Sequence, residues 1–505
     1  MNTNALAWQH ALWMGVVCSA AVAQDSPNAP SSGISRSLAI VPTLDASVTA
    51  INGGSGGDGT DLVTQIRPGV NIASYSGRVR GTLNYSLDAV NHSRSSQAAS
   101  LQNSLNATLN AEAVPNWAYI DATANISRRA LSAYGTQLPD GSVQSNSNVN
   151  EVGTLSLAPY VKGQLGSWAV YEARLLASAT NTRHSTVGDS SAKGLNLSLN
   201  SASGQSLFGW GLQGSRLQSA FRAGRSTEND RVVASLRFQP DYDLNLTLRG
   251  GQEATDVASI NKKTYNNWGL GATWTPSPRT AVNIDTDHRY FGQSFRVTAD
   301  YRTALTSLRF SSTRDASTSS DQNAVGLPQT WYQRFFVLFA SREPDPVLRD
   351  LLVLEFLRFN KIDPNALTTT GFVTSSVTLQ RRDELTFSYA GKRTTVSLGV
   401  SRGETSLLDT VSSTPGDGTV RQMAYTLTAS HRLTPTAGLN VSGSRQITLG
   451  NGTRAGNSLK SLSVGLSDQL GLRLSGALSA RYASFSSPTG PYRETSVSAS
   501  VGLRF

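Results

Sequence analysis

The stretch RVRGTLNYSLDA, Arg78 to Ala89, sets Val79, Gly81, Leu83, Tyr85, Leu87 and Ala89 on one parity and Arg78, Arg80, Thr82, Asn84, Ser86 and Asp88 on the other. A period of two puts these sets on opposite faces of a β-strand. A second burst repeats it, with Leu101, Leu105, Ala107, Leu109 and Ala111 against Gln102, Ser104, Asn106, Thr108 and Glu112. Such bursts, each about ten residues long, recur from Leu38 to the final Phe505. In a soluble sandwich the apolar sets would face inward. One long sheet that closes on itself instead turns them to lipid and its polar sets to a wet lumen. The expected fold is all-β: a large antiparallel transmembrane β-barrel of about 22–24 strands, with one amphipathic helical insert.

Composition agrees. The 505 residues are 38% hydrophobic. After the N-terminus no apolar run reaches the roughly 18 residues that a helical span needs. Ser, Thr, Asn and Gly are abundant, as expected when half of every strand faces water. The formal charge of +10 raises nucleic acid as a partner. The arginines are scattered along strands rather than clustered with aromatics, so that partner is not expected.

Ala11 to Ala23 is a short apolar run ending in Ala21, Val22 and Ala23 before Gln24. It reads as an export signal over residues 1–23, although its start lacks Lys and Arg. A periplasmic segment, 24–37, and the barrel, 38–505, then follow. The single cysteine, Cys18, lies inside the signal. The processed chain is therefore expected to hold no thiol, which excludes cysteine catalysis and disulfides.

Barrels of this kind have short periplasmic turns and longer extracellular loops. The segments Asn52 to Thr60, Ala89 to Ser100, Arg128 to Asn150 and Asn181 to Gly194 read as long. Tyr75 to Gly77, Val114 to Asn116, Gly163 to Ser167, Pro240 to Tyr242 and Thr275 to Arg279 read as short. Two periplasmic termini require an even strand number. Direct counting gives about 23 strands, with the long loops on the wrong side beyond Ser312. A crossing at Thr330 to Ala340, with Trp331, Phe335, Val337 and Phe339 on one face, would bring the count to about 24. A helix or a segment folded into the lumen is the alternative.

The helical insert comes next. Asp345 reads as N-cap and Pro346 as the first helical residue; Leu348, Leu351, Leu352 and Phe356 then form an apolar face that ends near Asn360. The hairpin count places it on the periplasmic side. There it would plug the pore, dock a periplasmic partner or cap the rim.

Three constellations bear on function. In the lumen register, Asp285, Asp287 and Arg289 on one strand would neighbour Arg296, Asp300 and Arg302 on the next and Arg309 beyond. Such a patch either selects solutes by its field or pairs internally to satisfy a wet interior. The terminal parity of Val501, Leu503 and Phe505 reads as the signal by which barrel assembly machinery recognises its clients. Aromatics near the inferred turns, among them Tyr75, Trp117, Tyr119, Trp168, Trp274 and Tyr301, read as an interfacial girdle.

No catalytic, nucleotide or metal motif emerges, so neither enzyme activity nor a cofactor is expected. Gly56 to Asp61 matches a calcium nonapeptide in a single copy, whereas such sites need stacked repeats. His288 beside Asp285 and Asp287 invites a hydrolase reading. It falls in the outward register, and His92, His184 and His431 lie in unrelated segments.

Four stretches carry a resemblance: DLVTQIRPGVNI from Asp61, HRYFG from His288, YRTALTSLRFSSTRD from Tyr301 and DPVLRDLLVLEFLRFNKIDP from Asp345. With them, most of the chain resembles the PEP-CTERM-system-associated outer-membrane proteins encoded among exopolysaccharide and exosortase genes. More loosely, it is similar to porin-like barrels of capsule loci. The resemblance implies a conduit or scaffold for exopolysaccharide export or surface assembly, with polysaccharide and periplasmic export components as partners. Outer-membrane lipid and the assembly machinery are further expected partners. A diffusion porin and a surface hydrolase are the alternatives.

Overall fold

The computed structural model describes residues 38–505 apart from 56–58, 75–76, 94–98, 203–206, 318–330, 342, 344–345, 360–371 and 409–417. The expected signal, the 24–37 segment, Tyr75, Asp345 and the first half of the nonapeptide-like loop lie outside the described residues.

The first strands are β1 (Leu38–Gly53), β2 (Thr60–Ser74), β3 (Val79–His92), β4 (Ser100–Val114), β5 (Ala118–Ala130) and β6 (Val149–Leu165). They continue as β7 (Ala169–Thr182), β8 (Ser190–Ser201), β9 (Phe208–Phe221), β10 (Thr227–Asp241), β11 (Leu244–Thr255) and β12 (Lys263–Ser277). Then come β13 (Thr280–Arg289), β14 (Gly292–Arg302), β15 (Thr306–Ser317), α1 (Trp331–Leu338), a 3-10 turn (Phe339–Ser341) and α2 (Pro346–Phe359). The chain ends with β16 (Thr378–Ala390), β17 (Thr394–Leu407), β18 (Val420–Arg432), β19 (Ala437–Leu449), β20 (Asn457–Asp468), β21 (Leu474–Ser486) and β22 (Tyr492–Arg504).

Every strand pairs antiparallel with the next, and β22 returns to β1, from Thr43 opposite Arg504 to Gly53 opposite Glu494. The 22 strands thus form a closed barrel with no free edge. The sequence parity decides which face is which. On β1, Leu38, Ile40 and Val48 are exposed on the outside, while Thr49 and Ile51 are buried within. Around the wall, the outward positions hold Ile66, Leu155, Leu236, Leu248, Leu270 and Leu462, all exposed. So continuous an apolar belt is far larger than a water-soluble surface carries, and fits a lipid environment.

Connections alternate as expected. Short turns such as 278–279, 303–305 and 391–393 gather at the end that holds the last residue, and the longer loops at the other, where the two-residue β13–β14 turn at Tyr290 and Phe291 is an exception. The first end is periplasmic by the loop-length rule.

Two expectations are corrected. The strand number, 22, lies within the expected range of about 22–24, but the crossing read at Thr330 to Ala340 adds no strand, because that stretch holds the helix α1. Its aromatics explain the ambiguity: Trp331, Phe335 and Phe339 share a parity, yet a spacing of four also stacks them on one helical face. The insert also belongs to the long-loop side. Fifteen strands precede it, an odd number, so the chain enters it from the extracellular end.

Candidate functional site

The insert is built as a helical hairpin. On α1, the rings of Trp331 and Phe335 stack at 5.9 Å, and those of Phe335 and Phe339 lie 5.9 Å apart. From α2, Phe356 approaches both, at 4.7 Å from Phe335 and edge-on at 5.2 Å from Phe339. Val353 and Leu357 complete a cluster in which Phe335 is 1% and Val353 0% exposed, with Leu352 packed against it. The Tyr332 hydroxyl donates to Asp350 across the two helices. Of the residues expected on the apolar face, Leu352 and Phe356 serve this packing, whereas Leu348 and Leu351 are placed here only as part of the backbone of α2, which Pro346 opens as expected. The chain therefore holds two helices among the described residues, one more than expected.

The hairpin is seated inside the barrel. The Arg334 guanidinium donates to Thr426 Oγ1 on β18 at 3.1 Å. Beside it, Gly399 on β17 leaves the space that the guanidinium occupies; a Cβ there would collide with Nη2. This stretch of wall carries small residues on its inner face, and Ser388, Thr395, Ser397, Ser401, Thr428 and Ser430 are all buried. Farther along, Leu338 lines a 220 Å³ recess with Leu305, Ser307, Gly391 and Lys392. Those partners belong to the periplasmic turns, so a segment that enters from the extracellular end reaches the opposite end of the lumen.

The outer mouth is covered as well. Residues 131–148, between β5 and β6, reach strands far around the wall. The Tyr492 hydroxyl donates to Gln137 O at 2.6 Å, Asn457 Nδ2 to Ala133 O at 3.0 Å and Arg481 Nη1 to Asp140 O at 3.2 Å. After α2 the chain returns over the same mouth. Val373 N donates to Ala130 O at 3.1 Å, Gly188 N donates to Ser375 Oγ at 3.1 Å, and Val377 packs with Phe221 and Val257.

The charge patch faces the lumen with partners other than those expected. Asp285 lies opposite Arg296, and Asp300 opposite Arg309, with 3.7 Å between the latter pair's charged atoms. Asp285 and Asp287, however, bind Arg249 from β11 at 2.8 and 2.9 Å, and Arg231 of β10 comes within 3.4 Å of Asp287. The intervening strand β12 offers Gly269 and Gly271 at these levels. A Cβ on Gly269 would collide with Asp287, and one on Gly271 would sit 2.8 Å from Asp285 Oδ1. Two glycines thus let arginines reach across a whole strand. Arg289 pairs with Glu253 at 2.5 Å and Asp315 at 2.7 Å, and Glu253 is fully buried. Arg296 and Arg302 make no ion pair among the described residues.

No protein-family model and no curated protein matches the chain. Solved barrels align along nearly all of it. The FrpB iron transporter from Neisseria meningitidis (F5-1 variant) does so at TM-score 0.48 and 12% identity, over 92% of this chain and 82% of that one. The siderophore receptor PirA from Pseudomonas aeruginosa gives 0.35 and 11%, over 92% and 80%. OpdQ from Pseudomonas aeruginosa gives 0.32 and 10%, over 92% and 99%. Such distant likenesses bear on nothing that this chain carries through the membrane. The exposed apolar belt, the polar lumen and the closed sheet are its own. The chain is an outer-membrane β-barrel.

The remaining expected residues fall as follows. Val501, Leu503 and Phe505 are exposed on the outer face, and Phe505 N donates to Pro42 O at 3.1 Å beside the closing β1–β22 seam. Trp117, Trp168, Trp274 and Tyr301 are exposed near the short turns. Tyr119 departs from that girdle: it stacks on Tyr160 inside the lumen at 5.1 Å, with the Lys162 ammonium 4.4 Å from its ring. His288 faces outward against Trp268 at 6.0 Å, away from the lumen acids. Sequence reasoning missed Arg334 and its seat. The alternation TTVSLGVSRG from Thr394, with only Thr, Ser and Gly on one parity, was the available signal.

Proposed function

We propose that this barrel is a conduit held shut at rest by its own lumen insert and opened for an exported polymer. The observation that carries the reading is the path of the insert, which enters at the extracellular end and brings Leu338 against the periplasmic turns. A hydrophobic hairpin seated along the lumen favours a plugged interior over a water-filled one. The polymer class comes from the resemblance to exopolysaccharide-locus barrels, and the inner rim is compatible with an acidic one. Arg279, Arg302, Arg393, Arg432 and Arg504 are exposed there, with no ion pair among the described residues. No nucleotide-binding motif is present in the sequence, so the work of opening falls to periplasmic export partners.

The test is single-channel conductance in a planar bilayer, comparing the full protein with a version lacking residues 326–370. The full protein is expected to be closed with rare openings, and the shortened one to conduct steadily. A large steady conductance in the full protein would make it a diffusion porin. Heat-modifiable migration in electrophoresis confirms that both barrels are folded.

A further inference from the structure

The outer face of β18 to β22 carries one row of directly opposed residues that the conduit does not use. Tyr425 faces Arg445, Arg445 faces Lys460, Lys460 faces Ser484, and Ser484 faces Arg493. Arg445, Lys460 and Arg493 are all exposed, and no ion pair is made by any of them among the described residues. Like charges directly opposite one another destabilise a sheet, and Arg445 with Lys460 is such a pair.

Position identifies what neutralises it. One step toward the periplasm, the same face reads Leu427, Gly443, Leu462, Tyr482 and Thr495; one step further it reads Ala429, Val441, Val464, Ala480 and Val497. One step toward the long loops the face reads Ser458 and Ser486 on β20 and β21, where the apolar belt ends, while Met423 and Ile447 carry it one step further on β18 and β19; the cations thus stand at the outer boundary of the belt, near the long-loop side of the wall. Neighbouring strands lie about 4.8 Å apart, so Arg445 and Lys460 flank one anionic group while Arg493, two strands on, reaches a second about 10 Å away. Around β9 to β12, by contrast, outward cations come with acids: Arg216 lies 2.9 Å from Glu228, and Lys262 lies 2.5 Å from both Glu228 and Asp230.

We propose that this row is a binding site for the phosphate groups of a phosphorylated glycolipid of the outer leaflet, with Tyr425 and Tyr482 against its sugar and acyl boundary. Charge-assisted bonds from Arg and Lys to phosphate supply the recognition. The site stands independently of the gating reading.

Purified protein in detergent is titrated with bisphosphorylated lipid A and, separately, with the same lipid stripped of phosphate; native mass spectrometry reads occupancy and heat-modifiability reads stability. The phosphorylated form is expected to bind and stabilise preferentially, with affinity falling about fivefold for each cation neutralised in Arg445→Gln and Arg493→Gln. Lys460→Glu supplies Arg445 with a facing carboxylate. It is expected to abolish the lipid-dependent stabilisation while leaving the lipid-free barrel at least as stable, which separates lost binding from lost folding. Arg216→Gln serves as the control and is expected to bind like the parent. Equal binding of both lipids, or an unaltered Lys460→Glu variant, overturns the proposal. So does concentration-dependent self-association that Lys460→Glu removes without any lipid effect, because the face would then join copies of this chain.

Discussion

Replacing Phe335 with alanine tests the plug at its centre. The ring is 1% exposed and meets Trp331 at 5.9 Å, Phe339 at 5.9 Å and Phe356 at 4.7 Å, so it joins α1 to α2. Truncating a buried phenylalanine costs about 3–5 kcal/mol through lost transfer energy and the cavity left behind. A two-helix insert relaxes more readily than a large core, so about 3 kcal/mol is the appropriate end of that range. The barrel wall does not share this cluster, so the loss falls on the closed arrangement to the extent that α1 and α2 part when the lumen opens, as the proposed gating requires. At about 1.4 kcal/mol per tenfold, the ratio of open to closed barrels should rise about a hundredfold. In a planar bilayer Phe335→Ala should therefore show openings about a hundred times more frequent than the parent. Heat-modifiable migration should stay unchanged. If conductance and opening frequency match the parent while the barrel is folded, the hairpin does not hold the lumen closed and the proposed gating is wrong.

Gly399→Val should also raise leak, because the added side chain takes the space of the Arg334 guanidinium; a Thr426→Val variant, which replaces the hydrogen-bond acceptor with a methyl of similar size, should leak less than Gly399→Val. In the protein lacking 326–370, neutralising Arg296, Arg302 and Arg309 together should lower anion preference, read as a shift in reversal potential under a salt gradient. Removing Arg249 with Asp285, whose charges already meet at 2.8 Å, should shift it far less, and equal shifts would dismiss a selectivity role for these three arginines. Deleting Phe505 should reduce the folded, heat-modifiable fraction during assembly, and an undiminished yield would remove its reading as a recognition signal.

The wall was legible because a strand's two faces meet different solvents, and Leu83, Tyr85 and Leu87 record that locally in the chain. The helix α1 was not, since its aromatic spacing satisfies both a strand and a helix, and only the contact with α2 decides between them. The lumen ion pairs were hidden for a related reason. Register predicts the neighbours of Asp285, but Arg249 arrives from two strands away over glycines whose importance shows only once the strands are side by side. The seat of Arg334 joins residues 92 positions apart. No window of sequence contains such a pair.

Because the insert is continuous with β15 at one end and β16 at the other, it is never released by opening. Its return is a first-order event, driven by a tethered effective concentration of about millimolar rather than by encounter with a separate subunit. The time for which such a channel stays open is then independent of how many copies the membrane holds. On the proposed gating, more barrels in the membrane mean more channels without a matching supply of any closing factor.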